Sequence, residues 1–357
     1  MGLRYLAFLT VASVAIFACA TGGKSEAAAP LPQDEPGRAA TLPPLNPNEV
    51  YRPEVAANAK KPEARKSGRV TIEKSIETAG NVVRAIGTQA GGNIVLMNGV
   101  ENRMLYDIEL KRESVADSIA IVAAGSGLIV NDTPQYVFLI PEGYEQLLNL
   151  SLAGRIDQRY ANITTDATFG SGLPLFTVFM WMGYALDISI VADNSVGEER
   201  CGELALQQVP VEIALEAILK SARVVALAAD STPEYIFFGT PANQNPASLL
   251  LDEASLTEQQ RALLDKQVSL ALPRPLRTGE RMELPMHASK LGDILPALSE
   301  QLGVQVVAEK GLLSFPVNPI HLHKVRVRTA MDLLLRQWLE ANYGYQVTKD
   351  RIVIRRK

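Results

Sequence analysis

The chain of 357 residues is predicted to be an α+β protein: three tandem βαββαββ-type small modules that follow a signal peptide and a disordered linker. Three observations predict it. Alternating apolar pairs suited to a strand recur as Ile108/Leu110, Leu204/Leu206 and Ile320/Leu322. Five residues after each pair stands a valine: Val115, Val211 and Val327. From each valine an apolar or small stripe runs on at i+3, i+4, i+7 and i+8, the core face of a helix entered from a strand. It reads Val211, Ala214, Leu215, Ile218, Leu219 in the second copy and Val327, Ala330, Met331, Leu334, Leu335 in the third. In the first it is Val115, Ser118, Ile119, Val122, Ala123.

At the start of the chain, Arg4 precedes an apolar run from Leu6 to Ala18. That run is shorter than the roughly 20 apolar residues a membrane-spanning helix needs, and residues 1–18 have the anatomy of a signal peptide. Ile16-Phe17-Ala18-Cys19 resembles a bacterial lipobox. The resemblance implies that Cys19 becomes the lipidated first residue of the mature protein, anchored by its acyl chains. Ala20 stands where an aspartate would imply inner-membrane retention, so the implied address is the outer membrane, facing the periplasm. Residues 19–67 are then a tether: Ala20 to Ser67 holds eight prolines and no apolar period, so it cannot bury enough surface to fold. As a coil it would span on the order of 40 Å.

The modules follow. Module 1 covers 68–145, with "GGNIVL" as a short strand after its first helix and "TPQYVFL" as its closing turn and strand. Module 2 covers 155–241. Its "LPLFTVFMWMGYAL" is too short for a membrane span and is read as a buried first helix, apolar most of the way round and so covered on two sides. "TPEYIFF" closes it. The linker 242–279 carries a short helix in "ASLTEQQRALLDK", with Ser255 and Glu258 as its capping box. Module 3 covers 280–357, opens on a strand at Leu284-Pro285 and closes on "KDRIVIRRK".

The third copy's "MELPMHASKLGDILPALSEQLGVQVV", with "VRTAMDLLLRQW" after it, resembles the short N-terminal (STN) domain shared by secretins and TonB-dependent signal transducers. The resemblance implies a fold more than an activity. It also implies a role in contacting or positioning components of an envelope-spanning secretion, pilus or transport assembly.

Candidate sites are few. His321 and His323 share a strand face, with His287 expected on the first strand of the same module; three imidazoles would suit zinc, but surface histidines are the favoured reading. Cys201 opens a strand and, with Cys19 committed to lipid, is read as a buried small hydrophobe, or else as a thiol that pairs with another protein. The P-loop, zinc-protease, nucleophile-elbow and dinucleotide motifs are missing from the sequence. The expectation is therefore a non-enzymatic protein that uses no cofactor. A formal charge of −4 gives no reason to expect nucleic-acid binding. Residues 97–216 are dominated by Asp and Glu, and His321 to Lys357 by Lys and Arg. These read as solvated faces of opposite sign, or in functional terms as complementary ends. The basic end, Arg355, Arg356 and Lys357, is the candidate contact for a protein partner, with the lipid anchor as the contact to the membrane. The competing reading is a sensory module that binds a small ligand or glycan, which would show a pocket of aromatic and polar groups.

Overall fold

Each of the three valines opens a helix. The computed structural model describes residues 68–243, 248–278, 281–338 and 342–357, all within one compact unit. The first stretch runs β1 (Arg69–Thr78), α1 (Ala79–Ala90), β2 (Ile94–Leu96), β3 (Met104–Ser114), α2 (Val115–Ser126), β4 (Ile129–Asp132) and β5 (Val137–Ile140). After α3 (Gln158–Ala161) come β6 (Thr164–Phe169), α4 (Leu175–Leu186), β7 (Ile190–Ala192), α5 (Asn194–Gly197) and β8 (Glu203–Pro210). That stretch ends with α6 (Val211–Ser221), β9 (Ala228–Ser231) and β10 (Ile236–Gly239). Next come α7 (Glu258–Asp265), β11 (Gln267–Leu272), β12 (Leu276–Thr278), β13 (Arg281–Glu283), β14 (Ser289–Lys290) and α8 (Leu291–Leu302). The chain finishes with β15 (Gln305–Ala308), β16 (Pro316–Val317), β17 (Ile320–Arg326), α9 (Val327–Leu335), β18 (Tyr343–Val347) and β19 (Arg351–Arg356).

The helical stripes are buried along their length, from Val211 to Leu219 and from Val327 to Leu335, and Ser118 is buried with its apolar neighbours. The ends of the helices follow local chemistry. Thr78 and Ser114 cap α1 and α2 through their hydroxyls, which accept from the Asn81 and Asp117 amides. Gly91 and Gly303 close α1 and α8 in the left-handed conformation, and Asp187 closes α4 in the same way at φ 55°.

Strand pairing is antiparallel between β1 and β3, β6 and β8, and β11 and β17. Each pair shifts register once. In the second strand of each, two residues past the leucine of the apolar pair, a residue takes positive φ: Arg112 at 56°, Gln208 at 53° and Lys324 at 47°. Such a bulge bends the strand and strengthens its twist, turning the following helix onto the sheet. Parallel pairing joins β2 to β5, β7 to β10 and β15 to β19. β2 also pairs antiparallel with β8, which builds a five-stranded sheet in the order β4-β5-β2-β8-β6. One core cluster accordingly runs from Val70 to Phe238, and a second joins Val191 and Phe237 to the side chains of the last stretch.

Four expectations are corrected. The strand that pairs with β17 is β11, inside the expected linker, and not Leu284-Pro285, which lie outside any strand. Val268, Leu270 and Leu272 alternate into the core and fit the pleat, whereas proline has no N–H to give a ladder. The capping box of α7 is Thr257 with Gln260; Ser255 is held in a tight turn, its hydroxyl donating to the Asp252 carbonyl. His287 lies in a bend, not on a strand. Cys201 stands two residues ahead of β8. Residues 1–67, with Cys19, the signal segment and the tether, lie outside the described residues.

Candidate functional site

What the fold positions most closely are two junctions. At the first, α1 and β2 meet β8. Gly87, ninth residue of α1, has no side chain where Ala205 arrives: a Cβ on Gly87 would stand 2.4 Å from the Ala205 Cβ. Arg84 on the same helix makes a two-pronged ion pair with Glu203, Nε to Oε1 at 2.7 Å and Nη2 to Oε2 at 2.6 Å. The Glu203 side chain is only 1% exposed, so the guanidinium is what makes burial of that charge tolerable. The Asn93 side chain accepts from the backbone N–H of Gln207 at 2.9 Å.

At the second junction α4 and β7 meet β17. Gly183, ninth residue of α4, is the close point, with His321 3.3 Å from where a Cβ would be. The Ser189 hydroxyl accepts from the His323 N–H at 2.9 Å. Thr177 donates to the Pro285 carbonyl at 2.8 Å. This explains why α4 is apolar nearly all round: one side faces its own sheet and the other faces β17, as the residue pattern predicted. No described helix is long and apolar enough to cross a membrane.

His321 is not a surface histidine. Its ring stacks on Tyr184 with 3.8 Å between centroids, and neither ring nitrogen has a hydrogen-bond partner. Burial lowers its pKa to about 4, and the charge of His323 adds to this, so it packs as a neutral ring. His323 approaches Asp187 at 3.6 Å, and His287 is exposed in its bend. The three imidazoles are not brought together, and no group of three metal-ligating side chains occurs among the described residues. Cys201 is fully buried, its thiol donating to the Gly170 carbonyl and pushed up to about 12 by desolvation.

A polar clamp accompanies each junction. Tyr136, in the turn before β5, is buried near Glu216 and Lys220, the sixth and tenth positions counted from Val211. Those two form a 2.7 Å ion pair, and burial first, then the Glu216 charge, raises the Tyr136 phenol far above its ordinary pKa. Tyr235 stands in the corresponding turn before β10, against Asp332 and Arg336 at the same positions counted from Val327. Arg336 bonds Asp230 at 2.8 Å and covers the Phe237 ring at 3.8 Å. Arg326 and Thr329 both hold Glu234. Between these groups lies a cavity of about 420 Å³. Its arginines are engaged: Arg326 by Glu234, Arg328 by Glu253 and Asp265, Arg336 by Asp230. The sequence analysis did not single out these groups; the four-residue spacing of Glu216 and Lys220 on α6, and of Asp332 and Arg336 at the end of α9, is the signal that could have found them.

Of the basic end, Arg355 is half-buried on β19, while Arg356 and Lys357 are exposed. Arg356 lies 6.0 Å over the Tyr343 ring, and its N–H donates to Glu309. Large exposed apolar side chains gather in the first stretch: Ile76 at 54%, Met104 at 41%, Tyr106 at 69% and Ile121 at 43%. Ile76 and Tyr106 are direct cross-strand partners. No family model, curated protein or solved structure matches this chain.

Proposed function

We propose that the chain is three copies of one βαββαββ unit of the STN type, docked in series, carried at the outer membrane on a lipidated Cys19 and acting without catalysis as a protein–protein interaction scaffold. Within this reading it serves an envelope assembly of the secretin, pilus or transport kind. The observation that carries it is the Ile76–Tyr106 pair with Met104. An exposed apolar cluster on a two-stranded ribbon is an interaction surface more often than an accident of the fold, and a ribbon edge offers backbone groups for strand addition. The equal placement of the three bulges, and of the left-handed caps Gly91, Asp187 and Gly303, supports the reading as copies. A photo-crosslinking residue at Tyr106 in living cells should trap a distinct envelope protein, and Ile76→Glu with Tyr106→Glu should abolish the adduct. Absence of any adduct at Tyr106 while the protein is folded at the membrane would overturn it.

A second reading, binding of a small ligand, draws on the cavity between Tyr235 and Arg336. Its cations are already neutralised by carboxylates of the protein, which makes it a better clamp than a receptor for an anion.

A further inference from the structure

The two junctions use one docking scheme, and the scheme leaves one unused face at each end. Each junction places a helix, a short strand and a turn of one unit on the bulged strand and second helix of the next. The receiving face of the first unit is β3 with α2. Ile121, seventh in α2, is 43% exposed, whereas Ala217 and Leu333, seventh in α6 and α9, are 0% and 1% exposed. Ala120 and Ala124 stand where the other two receiving helices carry the ion pair Glu216–Lys220 and the pair Asp332 and Arg336. The presenting face of the last unit is β15 with β19. Val353 is half-buried there, where Phe138 and Phe237 in the corresponding strands are 0% and 1% exposed. Arg351 and Arg355 flank Val353 on the same side of β19, since side chains alternate along a strand.

We infer that the protein associates head to tail with a second copy of itself, the β15–β19 face of one copy seating on the β3–α2 face of the next in the orientation of the internal junctions but at a wider helix-to-strand spacing. The inference rests on the reading of the chain as three copies of one unit. Val353 would cover Ile121. Gln305 takes the place of Asn93 and Ser189 and would accept from the Lys111 N–H, as those two accept from Gln207 and His323. Arg351 takes the place of Tyr136 and would arrive over Ala120 and Ala124, the positions that carry Glu216 and Lys220 in the internal junction. The contact is weaker than the internal ones. Ser299 stands where Gly87 and Gly183 allow close approach, so α8 seats farther from β3 than α1 does from β8, and Glu300 comes opposite Glu109; association is therefore a matter of concentration. Anchoring at one surface supplies that concentration. An unclosed rotation gives an open row of copies, whereas a closed one gives a ring.

The test uses the full chain carrying Cys19→Ser, which leaves buried Cys201 as its one thiol. Sedimentation over a hundredfold range of concentration should show reversible association, reduced at least tenfold by Ile121→Arg in the receiving face and by Val353→Asp in the presenting face. A mixture of the two variants should form dimers and nothing larger, because each retains the face that the other lacks. A wild-type chain that stays monomeric throughout overturns the inference. So does a mixture in which dimers fail to form. Association that ignores both substitutions points to another surface and overturns the assigned faces. The unit reading is checked separately by Gly183→Val and Gly87→Val, which should both destabilise the chain whatever its state of association; if neither does, that reading fails on its own.

Discussion

Gly87 meets Ala205 with no room for a methyl group between them: a Cβ on the glycine would lie 2.4 Å from that of the alanine. Glycine within a helix ordinarily costs roughly 0.5–1 kcal/mol relative to alanine, so a position that keeps it returns the cost through contact. The close approach lets β2 pair with β8 and fuse two stretches into one sheet.

Gly87→Ala is therefore expected to destabilise by about 1–3 kcal/mol, against the propensity change. Ala205→Gly combined with it should recover part of the loss, and a double-mutant cycle in denaturant gives the coupling. Independent, additive effects would show that the two residues are not in contact.

Leu215 and Leu335 lie on the buried faces of α6 and α9, 0% and 3% exposed. Truncation of either to Ala should cost on the order of 2–5 kcal/mol by loss of transfer energy and opening of a cavity. Thermal or urea unfolding measures it. A loss below about 0.5 kcal/mol at either site would contradict the burial.

Two half-buried groups should give opposing pH dependences. Burial raises Asp332 from 3.8 to about 7, against the Ser248 hydrogen bonds and the nearby Arg336 and Arg328. The folded form then holds a proton that the unfolded chain has released, so this contribution is fully present below pH 3.8 and is lost as pH rises towards about 7. His321 is lowered from 6.5 to about 4, so the unfolded chain holds the extra proton between those values and stability from this group rises over that window. Asp332→Asn should remove the falling contribution and His321→Phe the rising one. Urea midpoints measured from pH 4 to 8 separate the two, and identical pH profiles for wild type and both variants would refute the assignment.

If Cys19 carries lipid, Cys19→Ser should move the protein from the membrane fraction to the soluble periplasm and abolish labelling by a fatty-acid analogue. Unchanged membrane association in that variant would rule out the lipobox.

The helices α2, α6 and α9 and the strands that precede them were legible because their signals are local. A stripe at i, i+3, i+4, i+7 and i+8 binds one face of a helix to a core whatever that core is. Short strands such as β2, β7 and β10 announced themselves by apolar runs between turn residues. The amphipathic ambiguity of α4 was legible too, as apolar residues on more sides than one sheet can cover.

What only the tertiary structure decided is which surfaces meet. Gln267–Leu272 fell inside the expected linker, and what made it the partner of β17 was the alternation of Val268, Leu270 and Leu272 into the core against it. The capping box moved by two residues because Ser255 ends the short turn Glu253–Ser255 and Thr257 is the residue that stands directly before α7. His321 looked like half of a surface pair until α4, far away in the chain, brought Tyr184 over its ring. The sequence alone determined the helices and most of the short strands, β11 excepted, since propensity, periodicity and caps act over a few residues. The pairing of β2 with β8, the seating of β17 on α4 and the exposure of Ile121 were decided by contacts between residues distant in the chain, where burial outweighs any local preference.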